Sequence, residues 1–220
     1  MSINQYLEEA KDTNQPLSSD LFSKLQEDIL TGKLENGDKL TEMRICNEYS
    51  VSRTPVREAL RQLEMNGLIK TVPNRGAFVV GLSEQDISDM YILRAEAEVI
   101  AVRWAIKRIT DEEMEALNET FEFMEFYTMK NDIPKMLNIN LAFHKIIYDA
   151  THNRMLKQEL NAYQLYLRHS NPSNYYAPNY LRDVLSEHRA IYDAFIAKDV
   201  DGGALAMKRH MENSRKRKFR

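Results

Sequence analysis

The sequence predicts a mainly α-helical protein. We expect an N-terminal winged helix-turn-helix, with three helices and a β-hairpin wing, followed by an all-helical antiparallel bundle of about six to seven helices. The chain has only 7 glycines and 6 prolines among 220 residues, and 29% of its residues are charged, which favours helices over a loop-rich β fold. Residues 68–80 are rich in β-branched and apolar side chains around a PNRG turn, which indicates one hairpin.

We divide the chain into an N-terminal arm (residues 1–17), a winged helix-turn-helix domain (18–81) and a helical domain (82–220). Residues 39–79 hold seven basic and four acidic side chains, a local charge of +3 in a chain whose net charge is −3. A basic segment of this kind indicates nucleic-acid contact. With one cysteine, no signal peptide and no long apolar run, the sequence predicts a cytoplasmic protein without membrane association.

The stretch Val51–Leu63 is predicted to be a recognition helix. Ser52 is a suitable N-cap, because its hydroxyl can accept a hydrogen bond from an amide of the first turn, where Pro55 costs little. Arg53 and Arg57 are four residues apart and project near the helix start, where they can contact guanine edges or phosphates. An amphipathic helix with solvated arginines is the alternative. The apolar stripe expected to be buried consists of Val56, Ala59, Leu60 and Leu63.

Two further helices and a turn precede this stretch. Ser18 or Ser19 is expected to cap a first helix, which Gly32 ends. Residues 35–40 read as a turn, and Thr41 caps a second, short helix. Two short helices joined by a tight turn match the helix-turn-helix pattern.

The hairpin after the recognition helix is the predicted wing. Arg75 and Gly76 form its tip, where the glycine lets the backbone approach DNA and the arginine can reach a phosphate or the minor groove. An ordinary exposed turn residue is the alternative for Arg75.

Three motifs in this region resemble the DNA-binding domain of GntR-family bacterial transcription regulators: RTPVREAL at 53–60, GL at 67–68 and NRGAFV at 74–79. The resemblance covers about residues 18–80 and implies a homodimer that reads a pseudo-palindromic operator DNA. Arg44 is the candidate for a further contact from the second helix, although Met43 holds the position that the family commonly uses. The implied DNA-contacting residues are Arg44, Ser52, Arg53, Thr54, Arg57, Arg75 and Gly76.

From residue 83 onward the pattern is helical only. Capping boxes at 83–86 and 110–113 open two long helices, and Asp132 can cap a third. The predicted spans are 83–108, 110–130, 132–151, 153–169, 181–198 and 202–216. A tyrosine-rich loop at 171–180 is expected to line the pocket or lie on the surface, and the basic tail at 214–220 is expected to be frayed. Contact of the tail with DNA, or with a helix dipole, is the alternative.

Three of the five histidines lie beside apolar positions of different predicted helices. Asn140 and His144 are four residues apart and share a helix face, while His188 and His210 lie in the last two helices. Three imidazoles and an amide oxygen suit a borderline divalent metal ion such as Zn, Ni, Mn or Fe. Histidines that form hydrogen bonds in the core or at the surface are the alternative.

The residues Arg94 and Glu98, Asn140-x-x-x-His144, Glu187-His188 and His210 resemble the FCD effector domain, the helical C-terminal module of the FadR-type GntR branch. The resemblance covers about residues 84–215 and implies a divalent metal and a small carboxylate effector. Asparagine stands at position 140, where aspartate is common in the family. A neutral donor set leaves the ion its full positive charge, which lowers metal affinity and strengthens the attraction for an anion.

Arg94 is predicted to be the second anchor for the effector, because a guanidinium near the bundle interior needs an anionic partner. An internal pair with Glu98 is the alternative. The resulting interpretation is a ligand-responsive transcription regulator without enzymatic turnover. Two alternatives are a regulator whose effector site holds no metal, and a helical metalloenzyme with Glu187 or Asp149 as the carboxylate nearest the metal.

Overall fold

The computed structural model describes residues 17–168 and 179–219. The predicted arm up to residue 16, the loop tyrosines Tyr175 and Tyr176, and His169 lie outside these residues. The described chain divides into two compact units, one ending at Ile87 and the other beginning at Ser88. A mainly helical chain with an N-terminal helix-turn-helix and wing, followed by a helical bundle, is confirmed.

The elements of the first unit and the helix that follows are, in chain order, α1 (Leu17–Leu30), β1 (Lys39–Leu40), α2 (Glu42–Tyr49), α3 (Arg53–Met65), β2 (Ile69–Val72), β3 (Gly76–Val79) and α4 (Glu84–Arg108). The remaining described helices are α5 (Asp111–Met129), α6 (Ile133–Ala150), α7 (Arg154–Arg168), α8 (Tyr180–Ile196) and α9 (Val200–Lys218).

Helices α1, α2 and α3 form the helix-turn-helix, and α3 packs against the other two. Three positions of the predicted apolar stripe of α3 are fully buried, whereas Leu60 is only half-buried. Thr41 caps α2 as predicted, since its hydroxyl accepts a hydrogen bond from the Arg44 amide at 3.3 Å. Helix α1 starts at Leu17, before both serines that were expected to cap it.

The wing belongs to a three-stranded antiparallel sheet with the order β1-β3-β2. The turn predicted at residues 35–40 is wrong in its last two residues, because Lys39–Leu40 forms an edge strand that pairs with Ala77 and Phe78. Leu40 is buried in the core of this unit and holds the strand in place. Two residues are too few to show the alternating hydrophobic pattern of a strand, so the sequence does not predict it. The predicted hairpin is confirmed by the pairing of β2 with β3.

Predicted caps begin the first three helices after the wing, and at the third of them the Asp132 side chain accepts from the Lys135 amide at 3.2 Å. The Ser83 hydroxyl accepts from the Asp86 amide at 3.1 Å, and the Asp86 carboxylate accepts from the Ser83 amide at 2.9 Å. Thr110 and Glu113 form a complete capping box. These exchanges satisfy amides that a helix start leaves without an internal partner.

The last two helices begin earlier than predicted. Helix α8 includes Tyr180, which was assigned to the loop. Helix α9 starts at Val200, because the Asp199 side chain caps it through the Gly202 amide at 2.9 Å and draws both glycines of this segment into its first turns. The prediction of a frayed tail is wrong as far as Lys218, since the basic segment continues α9 as a helix.

The core of the bundle is a single cluster of buried apolar side chains from α4 to α9. Gly203 packs closely against α4, because a Cβ atom at this position would lie 2.5 Å from Cδ1 of Ile106 and 3.0 Å from Cγ1 of Val102. Any side chain at position 203 would therefore require these side chains of α4 to shift. None of the helices in the described residues combines the length and apolar character needed to cross a membrane.

We expect Gly203→Val to lower the free energy of unfolding by about 1–3 kcal/mol, because the added methyl groups overpack the contact with α4. Lys208→Val is the matched control, since it puts the same β-branched residue on an exposed part of α9. Urea denaturation followed by circular dichroism measures both. A loss of stability in Gly203→Val no larger than that in Lys208→Val would contradict close packing as the reason for the glycine.

Candidate functional site

The start of α3 presents its polar side chains to solvent. Arg53, Thr54 and Arg57 are all exposed. The Nε atom of Arg57 donates to Oε1 of Glu42 on α2 at 2.8 Å, so an ion pair orients this guanidinium. Helices α2 and α3 thus meet at one of the predicted DNA-contacting arginines.

Ser52 is the N-cap of α3, but its hydroxyl makes no capping hydrogen bond, contrary to the sequence-based prediction. An N-cap side chain bonds the amide of the second or third helical residue. The third residue here is Pro55, which has no N–H group. The same proline that favours the helix start therefore removes one of the two partners that the Ser52 hydroxyl needs.

The two remaining DNA-contact candidates, Arg44 and the wing tip, are also exposed. Arg44 on α2 lies 3.7 Å from the Glu48 carboxylate. At the wing tip, Gly76 has a φ angle of +99°, and a Cβ atom there would lie 3.3 Å from Cε of Lys39. The turn therefore needs glycine, and it carries the exposed Arg75 side chain.

In the bundle, three of the predicted metal ligands come together. His144 on α6, His188 on α8 and His210 on α9 are all buried, and each offers one ring nitrogen within 4.8 Å of the others. The ring centroids of His188 and His210 are 4.4 Å apart, and that of His144 lies 5.4 Å and 5.3 Å from them. Three separate helices thus deliver one imidazole each to a single point.

The Nδ1 atom of each ring is already bonded. It lies 3.2 Å from Oε2 of Glu98 in His144, 2.7 Å from the Val184 carbonyl oxygen in His188, and 2.8 Å from Oε2 of Glu187 in His210. Carboxylates and carbonyls accept from Nδ1–H, so this arrangement leaves Nε2 of each ring as the unprotonated, ligand-binding nitrogen. Metal-binding histidines in proteins are oriented in this way.

Burial favours the neutral form of His188 and His210. It is the main cause that lowers the pKa of His188 well below its ordinary value, and His210 and His144 beside it add to the effect. Burial also lowers the pKa of His210 to about 4, although Glu187 opposes the shift. Neutral imidazole is the form that binds a metal ion.

The donor atoms themselves test whether a metal would fit. Among the described residues, Nε2 of His144, Nε2 of His188 and Oδ1 of Asn140 are buried without a hydrogen-bond partner. Asn140 lies one turn before His144 on α6. Buried polar atoms are seldom left unsatisfied, and such atoms mark a site for an ion or ligand. Nitrogen donors with one amide oxygen match the preferences of a borderline divalent metal.

Arg94 on α4 forms the internal pair that the sequence left open as an alternative. Its Nε and Nη2 atoms donate to Oε1 of Glu98 at 3.1 Å and 3.0 Å, and Nη2 also lies 3.4 Å from the Tyr148 hydroxyl. Burial alone would raise the pKa of Glu98, but His144 and Arg94 outweigh it and hold this pKa at about 2. The carboxylate that orients His144 is therefore ionised and paired.

Sequence reasoning missed Tyr148, whose hydroxyl donates to Glu98 in the buried interior. A signal was present, because Asn140, His144 and Tyr148 follow one another at four-residue intervals and so share a face of α6. Glu187, one of the two carboxylates named for the metalloenzyme alternative, lies 2.8 Å from the Nδ1 atom of His210 through its Oε2 atom. The other carboxylate considered, Asp149, pairs with Lys157.

Comparison with known proteins agrees with this architecture. Residues 17–79 match the gntR family of bacterial regulatory proteins, and residues 89–213 match the FCD domain. The transcriptional regulator YdhC of Bacillus subtilis is 28% identical over 198 residues, which cover 89% of this chain and 86% of YdhC. The transcriptional regulator McbR of Escherichia coli is 26% identical over 183 residues, 81% of each protein. The solved structure of E. coli McbR/YncC superposes with a TM-score of 0.69 at 24% identity, covering 91% and 95% of the two chains.

A winged helix-turn-helix joined to a helical domain with a buried histidine cluster defines a DNA-binding transcription regulator. The chain belongs to the GntR family of bacterial transcription regulators, and its C-terminal part is an FCD domain. The matched families and the named relatives are regulators rather than enzymes, which confirms the prediction of no enzymatic turnover.

We expect Glu98→Gln to lower the free energy of unfolding by about 3–5 kcal/mol, because it leaves the Arg94 guanidinium buried without a counter-charge. The matched control is Glu125→Gln, which removes an exposed ion pair with Arg189 and should cost less than about 1 kcal/mol. Adding Arg94→Met to Glu98→Gln should recover part of the loss. Chemical denaturation of the single and double variants measures this, and similar values for Glu98→Gln and Glu125→Gln would contradict it.

Proposed function

We propose that this regulator binds a pseudo-palindromic operator as a homodimer, and that a small carboxylate effector modulates it at a metal-containing site in the bundle. The observation that supports the site best is the set of three buried imidazoles whose Nδ1 atoms are all bonded. Each of these rings has its Nε2 atom available to bind a metal ion. The three side chains cluster at one point of the bundle.

The proposed ligands are Asn140, His144, His188 and His210, and the proposed ion is divalent, with Zn, Ni, Mn and Fe as candidates. A divalent ion held there supplies positive charge and open coordination positions for a carboxylate oxygen. All four donors are neutral, so the protein itself does not compensate that charge. An anionic effector would do so, which favours a carboxylate over a neutral molecule.

Arg94 is proposed as the second anchor for the effector. Its bonds to Glu98 and Tyr148 use Nε and Nη2, and Nη1 takes no part in them. Glu98 joins Arg94 to His144, so a ligand that contacts the guanidinium also acts on a metal-binding ring. This connection gives a physical route by which an anion at Arg94 and the histidine cluster affect each other.

For DNA, we propose that the exposed polar residues of the helix-turn-helix and wing make the contacts. Arg53 and Arg57 would read base edges in the major groove, and Arg75 would reach the backbone or minor groove. The remaining proposed contacts are Arg44, Ser52, Thr54 and Gly76. Residues 18–81 would thus read the operator, residues 82–220 would sense the effector, and the protein would act in the cytoplasm.

The proposed homodimer has a candidate surface on α4. Three large apolar side chains are exposed there, with Ile92 at 45%, Leu93 at 55% and Ile100 at 43% of their full accessibility. Leu93 and Ile100 are seven residues apart and share a helix face, and Ile92 borders it. An exposed apolar stripe of this kind is typical of a protein interface.

The direct test selects an operator from random-sequence DNA and measures binding of the full chain with and without candidate carboxylic acids. We expect a selected site with two related half-sites, and an affinity that changes when the correct acid is present. Elemental analysis of the purified protein tests the metal separately. Operator binding and an acid response without any metal would support the metal-free alternative, and failure to select DNA would contradict the proposal.

We expect Arg57→Ala to cost about 1–3 kcal/mol of preference for the selected operator over random DNA. The physical reason is the loss of a bidentate base contact, so non-specific binding should change less than specific binding. Lys24→Ala in α1 is the control, since it removes a basic side chain of the same unit without removing a proposed contact. Fluorescence anisotropy at fixed salt measures both affinities, and an equal loss on both DNAs would assign Arg57 to the phosphates.

We expect Asn140→Asp to raise the affinity for Zn²⁺ at least several-fold, because a unit negative charge about 4 Å from a cation is worth about 1 kcal/mol even in water. The same charge should weaken binding of a carboxylate effector. Chelator competition measures the first effect and calorimetry the second. Asn118→Asp in α5 adds the same charge outside the proposed site and should leave both affinities unchanged.

A further inference from the structure

The carboxylate of Glu187 on α8 is held from two sides by residues of α9. On one side its Oε2 atom lies 2.8 Å from Nδ1 of His210. On the other, Arg217 donates through Nη1 and Nη2 to its two oxygens, each at 2.7 Å. Asn213 adds a bond to Oε1 at 2.9 Å. The carboxylate thus sits between a ring of the histidine cluster and an arginine of the basic C-terminal segment.

The spacing along α9 explains how one helix provides all three contacts. His210, Asn213 and Arg217 stand at positions i, i+3 and i+7, which lie on one face of a helix. That face meets α8 at Glu187. The C-terminal segment therefore has to continue as a helix through Lys218 for Arg217 to reach the carboxylate.

The side chains in this chain of hydrogen bonds are largely shielded from solvent. The side chains of Arg217 and Glu187 are only 21% and 13% exposed, and that of His210 is 6% exposed. A bidentate arginine fixes the plane of the carboxylate, and so the direction from which Oε2 receives the imidazole N–H.

We propose that Arg217 is a positioning residue of the histidine cluster, acting through Glu187 to fix the tautomer and orientation of His210. The last turn of α9 is then part of the metal-binding site, because Arg217 binds the carboxylate that bonds His210. This inference rests on the metal site proposed above. It assigns a role to one member of the basic tail and not to the tail as a whole.

Arg215 provides a matched control within the same turn. It carries the same charge and lies two residues away, but its Nη2 atom bonds the Ser88 hydroxyl on α4 at 3.2 Å. Loss of Arg215 therefore removes one basic residue and one anchor of the tail without touching Glu187. A general effect of tail charge or tail order on the bundle would appear in both variants.

The test measures Zn²⁺ affinity of the full chain by chelator competition. We expect Glu187→Gln to weaken binding about 10–100-fold, as loss of a residue that orients a metal-binding histidine typically does. Arg217→Ala should weaken Zn²⁺ binding about 3–10-fold, because this substitution removes the ion pair that holds Glu187 but leaves Glu187 in place. Arg217→Lys should restore part of the loss, and Arg215→Ala should stay within about twofold of the parent protein.

The double variant Glu187→Gln with Arg217→Ala shows whether Arg217 acts through the carboxylate. If it does, the double variant binds Zn²⁺ as Glu187→Gln alone, because the two effects are not additive for residues of one network. Additive losses would mean that Arg217 acts by another route and would overturn the proposal. Equal affinities of Arg217→Ala and Arg215→Ala would overturn it as well.

A second readout needs no metal. ¹⁵N chemical shifts of the histidine rings in metal-free protein report which ring nitrogen carries the proton. We expect His210 protonated at Nδ1 in the parent protein and in Arg215→Ala, and a mixture of tautomers in Arg217→Ala. If the parent protein binds no Zn²⁺, the proposed metal site fails, while this measurement still decides the role of Arg217. If Arg217→Ala does not fold, Arg217→Gln replaces it, because glutamine keeps a polar amide group but lacks the charge.

Discussion

The hydrogen bonds that hold the Nδ1 atoms of the three buried histidines are the constraint on which the helical domain depends. A neutral imidazole in an apolar bundle has one N–H to satisfy, and leaving it unpaired is costly. His144 uses Glu98 on α4, His188 uses a carbonyl of its own helix, and His210 uses Glu187 on α8. Two of the three bonds join different helices, so the orientation of the rings and the packing of the bundle are set together.

Each carboxylate in this arrangement brings a charge into the interior, and each is matched by an arginine. Arg94 pairs with Glu98, and Arg217 pairs with Glu187. A buried charge is tolerated when it is paired and hydrogen-bonded, so the two ion pairs follow from the choice of carboxylates as ring partners. The cluster around the histidines is consequently close to neutral, and positive charge brought to it by an ion would meet no fixed excess of negative charge.

Much of the fold follows from local sequence, because caps and apolar periods act over a few residues. The capping box at Thr110 predicted the start of α5, and the buried positions beside the histidines predicted that they would meet. Which histidine ring each carboxylate bonds was not predictable in the same way. Glu187 precedes His188 in sequence, yet successive helical residues point about 100° apart, so its partner is His210 on another helix. Strand β1 was missed for the same reason, since its pairing with β3 is a tertiary contact of two residues.

The helix-turn-helix separates the side chains that keep it folded from those that face solvent. Its core positions, such as Val56 and Leu63, are fully buried, whereas Arg53, Thr54 and Arg75 are exposed. Substitutions at exposed positions of this kind usually change stability by less than about 0.5 kcal/mol. The outward positions can therefore diverge with little effect on folding. Given the DNA contacts proposed for these side chains, a lineage that keeps the core and changes only them can acquire new operators without first passing through an unstable ancestor.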